Sequence, residues 1–198
     1  MEQGQGLNLE QALDLAARTL SAARYRHTLG VAALAEDVAR KHGLNLEKAR
    51  LAALVHDLAK EIPIEYQLRL AKRWQILQYP EDEQAPAVLH GPLAAYWLKK
   101  YYGLQDEEVL AAVAHHTLGY PGMSPLEMLI YSADLVEPNR NFPNVDSLRQ
   151  ALYDNIEQGT LACVEHTLNY LKQGKRMIHP ITRLTHEDLQ RRFKFGAK

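Results

Sequence analysis

Apolar residues recur along this chain at intervals of three and four, in stretches set apart by cap and stop residues. Asn8 caps a first helix carrying Leu9, Leu13, Ala16, Ala17 and Leu20. Ser21 caps a second, with His27, Val31, Leu34, Ala35 and Val38 on one stripe and Gly43 as its stop. Asn45 opens a third through Leu46 and Ala49 into Leu51-Ala52-Ala53-Leu54-Val55, apolar on every side and so predicted to be buried all round. That run ends in His56-Asp57-Leu58-Ala59-Lys60. Pro63 to Trp74 reads as amphipathic, and Gln75 to Ala87, with Pro80 and Pro86, predicts an exposed loop.

Pro92 suits the first turn of a helix holding Leu93, Tyr96, Trp97 and Tyr101, closed by Gly103, which places His90 at a helix N-terminus. Asp106 caps the next, where Val109, Ala112, Val113 and His116 share a face that His115 leaves, and Gly119 ends it. Ser124-Pro125-Leu126-Glu127 is a capping box with proline at the first helical position. Its helix places Leu126, Ile130 and Asp134 at i, i+4 and i+8, so a carboxylate continues an apolar stripe. Helices are predicted over Asp146 to Gln158 and Thr160 to Lys172, followed by a proline-bounded tail, Lys175 to Pro180, and a last polar helix from Thr185. Arg191-Arg192 reads as a solvated face. Sustained alternation of apolar and polar positions is missing, so the chain reads as all-α, a single-domain helical bundle.

Composition narrows the partners. With 23 basic against 24 acidic residues the formal net charge is -1, which leaves no electrostatic footprint for nucleic acid or an anionic membrane; a small ligand fits better. The single cysteine, Cys163, excludes an internal disulfide framework and falls in a helical pattern, where a packed thiol is the ordinary outcome. Met1 to Glu10 lacks the basic flank and apolar core of a signal peptide, and no apolar run approaches the ~18 residues of a membrane span, so a cytoplasmic location is expected.

A histidine beside an aspartate, or a lone histidine on an apolar stripe, is more often a hydrogen-bonded core residue than a ligand. The set weighs more than its members. His27, His56-Asp57, His90, His116 and Asp134 place six nitrogen and oxygen donors on the buried ends or faces of five predicted helical segments. Asp134 buried alone would cost several kcal/mol, so it needs a cation, donors or a helix end. Imidazoles and carboxylates without thiolate suit iron, manganese or zinc in an open, catalytic site, where an ion polarises phosphoryl oxygens and acidifies water.

The order His, His-Asp, His, His, Asp in an all-helical chain resembles the HD superfamily of metal-dependent phosphohydrolases, and more narrowly its YqeK-type group of symmetrical dinucleoside tetraphosphate hydrolases. The stretches that carry the resemblance include Arg24-Tyr25-Arg26-His27, His56 to Lys60, Leu89-His90-Gly91-Pro92, His116 to Gly119, Pro121 to Ser124, Ala133 to Arg140 and Ile178-His179-Pro180. The resemblance implies one HD domain over residues 1–198, with a core of about 22–140 and C-terminal helices from 146 to 198 closing a nucleotide site. It implies iron, in a mononuclear or dinuclear centre, with manganese or another divalent metal as substitute. The implied ligands are His27, His56, Asp57 and Asp134. His90 and His116 lie near the phosphates or hold a second ion. Lys60 and Arg140 are implied as phosphate contacts, with Arg26 on the substrate side, and Thr167, Tyr170, Ile178 and His179 as the part closing over the nucleoside. Asp57 and Lys60 are the expected catalytic pair.

The implied reaction is symmetrical cleavage of diadenosine tetraphosphate to two ADP through a metal-bound hydroxide, in a protein for which a homodimer is admitted. Two departures bear on substrate detail: Tyr120 stands where the group leads one to expect a more polar residue, and Gln75 to Ala87 is hard to match. Two alternatives stay open: another HD-type hydrolase, acting on nucleoside monophosphates or deoxynucleoside triphosphates, and a non-catalytic helical module that binds metal or nucleotide.

Overall fold

Side-chain caps mark where many of the helices begin. Asn8, Ser21, Asn45, Asp106, Ser124 and Asn155 each accept a hydrogen bond from a backbone N–H of the turn that follows, and Asn8–Gln11 and Ser124–Glu127 close reciprocal capping boxes. Such a cap stabilises a helix by about 1 kcal/mol. The computed structural model describes residues 6–196, with side chains through Phe193. The first five residues, part of the polar start read as lacking a leader, lie outside that range.

The elements are α1 (Leu9–Thr19), α2 (Ala22–His42), α3 (Leu46–Val55), α4 (Ile64–Arg73), α5 (Glu81–Gln84), α6 (His90–Tyr101), α7 (Glu107–His115), α8 (Pro125–Val136), α9 (Val145–Asp154), α10 (Ile156–Gln173) and α11 (Pro180–Gly196). No strand occurs among the described residues, and none of their helices is long and apolar enough to cross a membrane.

The apolar run of α3 is the centre of the packing. Leu51 to Val55 are all buried, and α3 contacts α1, α2, α7 and α8. Burying a side chain such as Leu54 contributes roughly 1.5–3 kcal/mol. Because Leu51 to Val55 is enclosed on all sides, the residues that follow it are delivered into the interior between α2, α7 and α8.

Four expectations need correction. Gln75 to Ala87 is not an exposed loop: it holds α5 and a 3-10 turn at Pro86–Val88, and Asp82 within it is buried. The helix expected over Asp146 to Gln158 breaks at Asn155, whose extended backbone ends α9 while its side chain accepts from Gln158 N to start α10. The last helix starts at Pro180 rather than Thr185 and is not simply polar, since Ile181, Thr182, Thr185 and Leu189 are all buried. Arg191 is exposed as expected, but Arg192 is half-buried: it donates to Met123 O at 3.0 Å and pairs with Asp188 at 2.7 Å.

Candidate metal centre

Helix ends supply the first part of the site. His56 caps the C-terminus of α3, His116 that of α7, and His90 follows the 3-10 turn at the start of α6. The last carbonyls of a helix have no partner within it, and here each imidazole uses one. His56 Nδ1 bonds Ala53 O at 2.6 Å, His90 Nδ1 bonds Ala87 O at 2.8 Å and His116 Nδ1 bonds Val113 O at 2.8 Å. A carbonyl only accepts, so the proton sits on Nδ1 and every Nε2 is a free lone pair. His27, on the buried face of α2, is oriented by a carboxylate instead, Glu137 Oε1 at 3.2 Å from Nδ1. Glu137 reaches that position because residue 30 is glycine: a Cβ there would overlap the Glu137 carboxylate. Gly91 plays the same part between α6 and α7, where a Cβ would stand 2.8 Å from Ala114 O and 3.2 Å from His116 Nδ1.

Asp57 lies at the middle. Its Oδ2 is 3.4 Å from His56 Nε2, 3.8 Å from His27 Nε2 and accepts from Arg24 Nη1 at 2.9 Å. Its Oδ1 is 3.3 Å from His90 Nε2 and 3.7 Å from His116 Nε2. Asp134 Oδ1 stands 2.8 Å from His27 Nε2 and 3.8 Å from His56 Nε2. Two groups of donor atoms result, each gathered within 4.8 Å: His27, His56, Asp57 and Asp134, and then Asp57, His90 and His116.

The donor atoms fit an ion. His27 Nε2 and His56 Nε2 are buried with no hydrogen-bond partner, a state that native structures rarely tolerate. His27 lies between two carboxylates, Glu137 Oε1 at 3.2 Å from Nδ1 and Asp134 Oδ1 at 2.8 Å from Nε2; with its proton directed to Glu137, Nε2 and Asp134 Oδ1 form a donor pair for a cation. His90 and His116 bring their Nε2 atoms within 3.0 Å of each other, and the Thr117 hydroxyl, 3.1 and 3.2 Å away, can donate to either of them. Burial alone would raise the Asp57 carboxyl, but positive charge shared with His56, His116 and His90 outweighs it and holds the group well below the usual carboxylate range, the place that a bound cation would fill. Burial likewise opposes, and positive charge shared with His27 and His56 prevails, at Asp134, which is also lowered. Burial, reinforced by His116 and Lys60, pushes the His90 imidazolium down to about 4, so this ring is neutral near pH 7 and available as a ligand.

Cations surround these donors. Lys60 Nζ is 3.3 Å from His90 Nε2. Arg140 braces Asp134, with Nη2 3.1 Å from its carbonyl and 3.2 Å from Oδ1. Arg24, His27, Asn139 and Arg140 line a cavity of about 270 Å³ that is also bounded by Ser21 and Glu61.

Of the residues named from the sequence, His27, His56, Asp57, His90, His116, Asp134, Lys60 and Arg140 are brought together. Arg26 is exposed on α2, and Arg24, one turn before His27, makes the contact with Asp57 instead. Residues three apart share a helix face whereas neighbours do not, so spacing could have selected Arg24. Thr117 and Glu137 were also missed as participants, although both lie within or directly beside motif stretches. Thr167 donates to Cys163 O, Tyr170 is 54% exposed beneath the Arg176 guanidinium, and Ile178 packs on the core. His179 is buried against Asp82. His115 pairs with Glu127 at 2.6 Å, outside both donor groups. Cys163 is fully buried, which pushes its thiol up to about 12 and leaves it inert.

Known proteins share this arrangement of chain. A family model described as HD domain matches residues 24–139. A symmetrical bis(5'-nucleosyl)-tetraphosphatase of Bacillus subtilis is 36% identical over 180 residues, covering 91% of this chain and 96% of that one. Its counterpart in Halalkalibacterium halodurans is 35% identical, covering 92% and 97%. A solved structure from Clostridium acetobutylicum, described as a predicted HD superfamily hydrolase involved in NAD metabolism, superposes with a TM-score of 0.90 at 34% identity, over 95% of this chain and 100% of that one.

Proposed function

The chain belongs to the HD-domain family, and from that membership we propose that it is a divalent-metal-dependent hydrolase that splits dinucleoside tetraphosphates symmetrically, releasing two ADP from diadenosine tetraphosphate. The observation that carries the reading is the division of Asp57: one carboxylate oxygen faces His27 and His56, the other His90 and His116. Two near-full-length relatives named for this activity support the choice of substrate.

His27, His56, Asp57 and Asp134 would hold one ion, and Asp57, His90 and His116 a second. Nitrogen and oxygen donors without thiolate suit iron, our choice of resident metal, with manganese as substitute. An ion bound there supplies Lewis acidity and a water acidic enough to attack near neutral pH.

The chain's own side chains do the rest. Arg24 and Arg140 present planar forks to the cavity beside His27, where they offset phosphate charge and fix the polyphosphate. Lys60, beside His90, stabilises the charge that grows on the equatorial oxygens as water adds to a central phosphorus. The bridging P–O bond to the other half breaks, and ADP departs carrying those electrons. We assign residues 22–140 as the hydrolytic core and those from 146 onward as the nucleotide-side cover, which includes Thr167, Tyr170, Ile178 and His179. Support for that cover comes from Thr182, which donates to Leu118 O just beyond His116.

A product assay on metal-loaded protein tests the reading, with diadenosine tetraphosphate, nucleoside monophosphates and deoxynucleoside triphosphates compared. ADP as sole product from the tetraphosphate, made faster than any other product, is expected. AMP with ATP would reject symmetrical cleavage, and faster turnover of a monophosphate would reject the substrate while keeping the family.

A further inference from the structure

Symmetrical cleavage makes a geometric demand that a metal cluster cannot meet alone. All four phosphorus atoms of a dinucleoside tetraphosphate carry an anhydride oxygen that water can displace, so something must hold the substrate by one end and bring the second phosphorus to the ion. A cleft of about 270 Å³ lies beside the segments that carry His90 and His116. Leu89 precedes His90 in sequence, and Ala114, His115 and Leu118 bracket His116, so its wall is made from the same two helix ends.

The cleft is preorganised. Tyr120 and His115 stack with ring centroids 4.4 Å apart and planes 13° apart. His115 is fixed in that plane by Glu127 Oε1, 2.6 Å from Nδ1, and Glu127 is itself tied to Ser124 N at 2.8 Å. Another part of the wall is held by Asp82, whose Oδ2 accepts from the amides of Gln78 and Tyr79 at 2.8 and 2.9 Å. The Asp82 Oδ1 accepts from His179 Nε2 at 3.1 Å, the proton being there because His179 Nδ1 accepts from Ile181 N. This clasp joins the segment before α6 to the start of α11.

Charge selects the occupant. No lysine or arginine lines the cleft, and its Asp82 is already bonded to two amides and His179, so phosphate is drawn instead to the cavity with Arg24 and Arg140. Whole small-molecule sites occupy roughly 300–1,000 Å³, so this volume suits one end of a substrate and not all of it. Aromatic faces accept any base by stacking, without hydrogen-bond readout.

We propose that this cleft seats one nucleoside of the substrate, its base lying against the Tyr120–His115 stack, so that the second phosphorus from that end meets the metal cluster. The inference rests on the hydrolase reading above. It gives Tyr120, the departure noted in the sequence, a part in setting the register of cleavage. Tyr120 is 40% exposed, so its replacement leaves the core intact.

Steady-state hydrolysis of diadenosine tetraphosphate by metal-loaded Tyr120→Ala and Tyr120→Phe, with inorganic tripolyphosphate as a competing ligand that lacks a base, tests the assignment. The alanine variant is expected to raise KM roughly fivefold or more, as loss of a stacking partner does, with kcat falling by less. Phenylalanine restores KM, and inhibition by tripolyphosphate is unchanged in both. An unchanged KM in the alanine variant, or an equal loss of tripolyphosphate inhibition, overturns the proposal. If the parent protein itself releases no ADP, it is the hydrolase reading that fails. Calorimetric binding of ADP then judges the cleft: weaker binding by Tyr120→Ala keeps it as a nucleoside seat, and equal binding removes it.

Discussion

The Nε2 atoms of His90 and His116 stand 3.0 Å apart while both Nδ1 protons are committed to backbone carbonyls. Two lone pairs that close are stabilised by positive charge; the Lys60 ammonium, 3.3 Å from His90 Nε2, stands on one side, and Asp57 Oδ1 completes a three-donor group for an ion on the other. His116→Ala is therefore expected to lose one bound ion per chain relative to the parent. Turnover should fall by more than the roughly 10- to 100-fold typical of an outer partner. Metal analysis of the two proteins checks this, and equal ion content would limit His116 to contacting phosphate.

Glu137 acts through His27. It takes no place among the donor atoms, but it fixes the ring by Nδ1 and is itself held by Asn139, whose N and Nδ2 lie 2.7 and 2.9 Å from Oε2. Glu137→Gln should weaken metal affinity by about 10- to 100-fold. Competition with a chelator of known affinity measures the change, and restored activity at high metal concentration separates loss of affinity from loss of fold.

Lys60 separates function from stability. It is half-buried with its ammonium near His90, and its contact with phosphate is strongest in the transition state. Lys60→Ala should lower kcat/KM at least about tenfold while altering stability by no more than about 0.5 kcal/mol, the usual range for a surface change. Paired kinetics and denaturant unfolding read both numbers, and an unchanged rate removes Lys60 from the site.

Acid should reveal the His115–Glu127 pair. Burial favours the protonated Glu127 carboxyl, but His115 and the Ser124 cap outweigh it and lower the group below its ordinary value of 4.5. A lowered carboxyl contributes stability that is present above the unfolded value and is lost as pH falls through the folded one. Glu127→Gln, which can still cap α8, should thus be less stable than the parent at about pH 6, with the gap closing below about pH 4.5. Thermal unfolding of the two metal-free proteins across that range measures it; a gap that widens in acid would contradict the assignment.

Much of the fold could be read locally. Asn8, Ser21, Asn45, Asp106 and Ser124 cap as their spacing predicts, because a cap bond spans only two or three residues. The donor set was legible for a related reason: His27 and Asp134 interrupt apolar stripes, and His56 ends a run that could only be buried. Asp82 was not legible, since Gln75 to Ala87 has no period and its burial depends on His179, 97 residues further on. Asn155 lies inside a continuous helical period, which hides its cap, and Pro180 starts a helix because its missing N–H is no loss in the first turn. Arg24, three residues before His27, shares its helix face and reaches Asp57, while Arg26 beside it turns to solvent.

The most direct test of the central claim follows ADP formation from diadenosine tetraphosphate against ions bound per chain, as stripped protein is reloaded with iron or manganese, in the parent and in folded Asp57→Ala. ADP formation should vanish on stripping and return in step with bound ion, while Asp57→Ala neither retains the ions nor turns over. Full ADP formation by stripped protein, or by the variant, would contradict an ion held at Asp57 as the seat of the reaction.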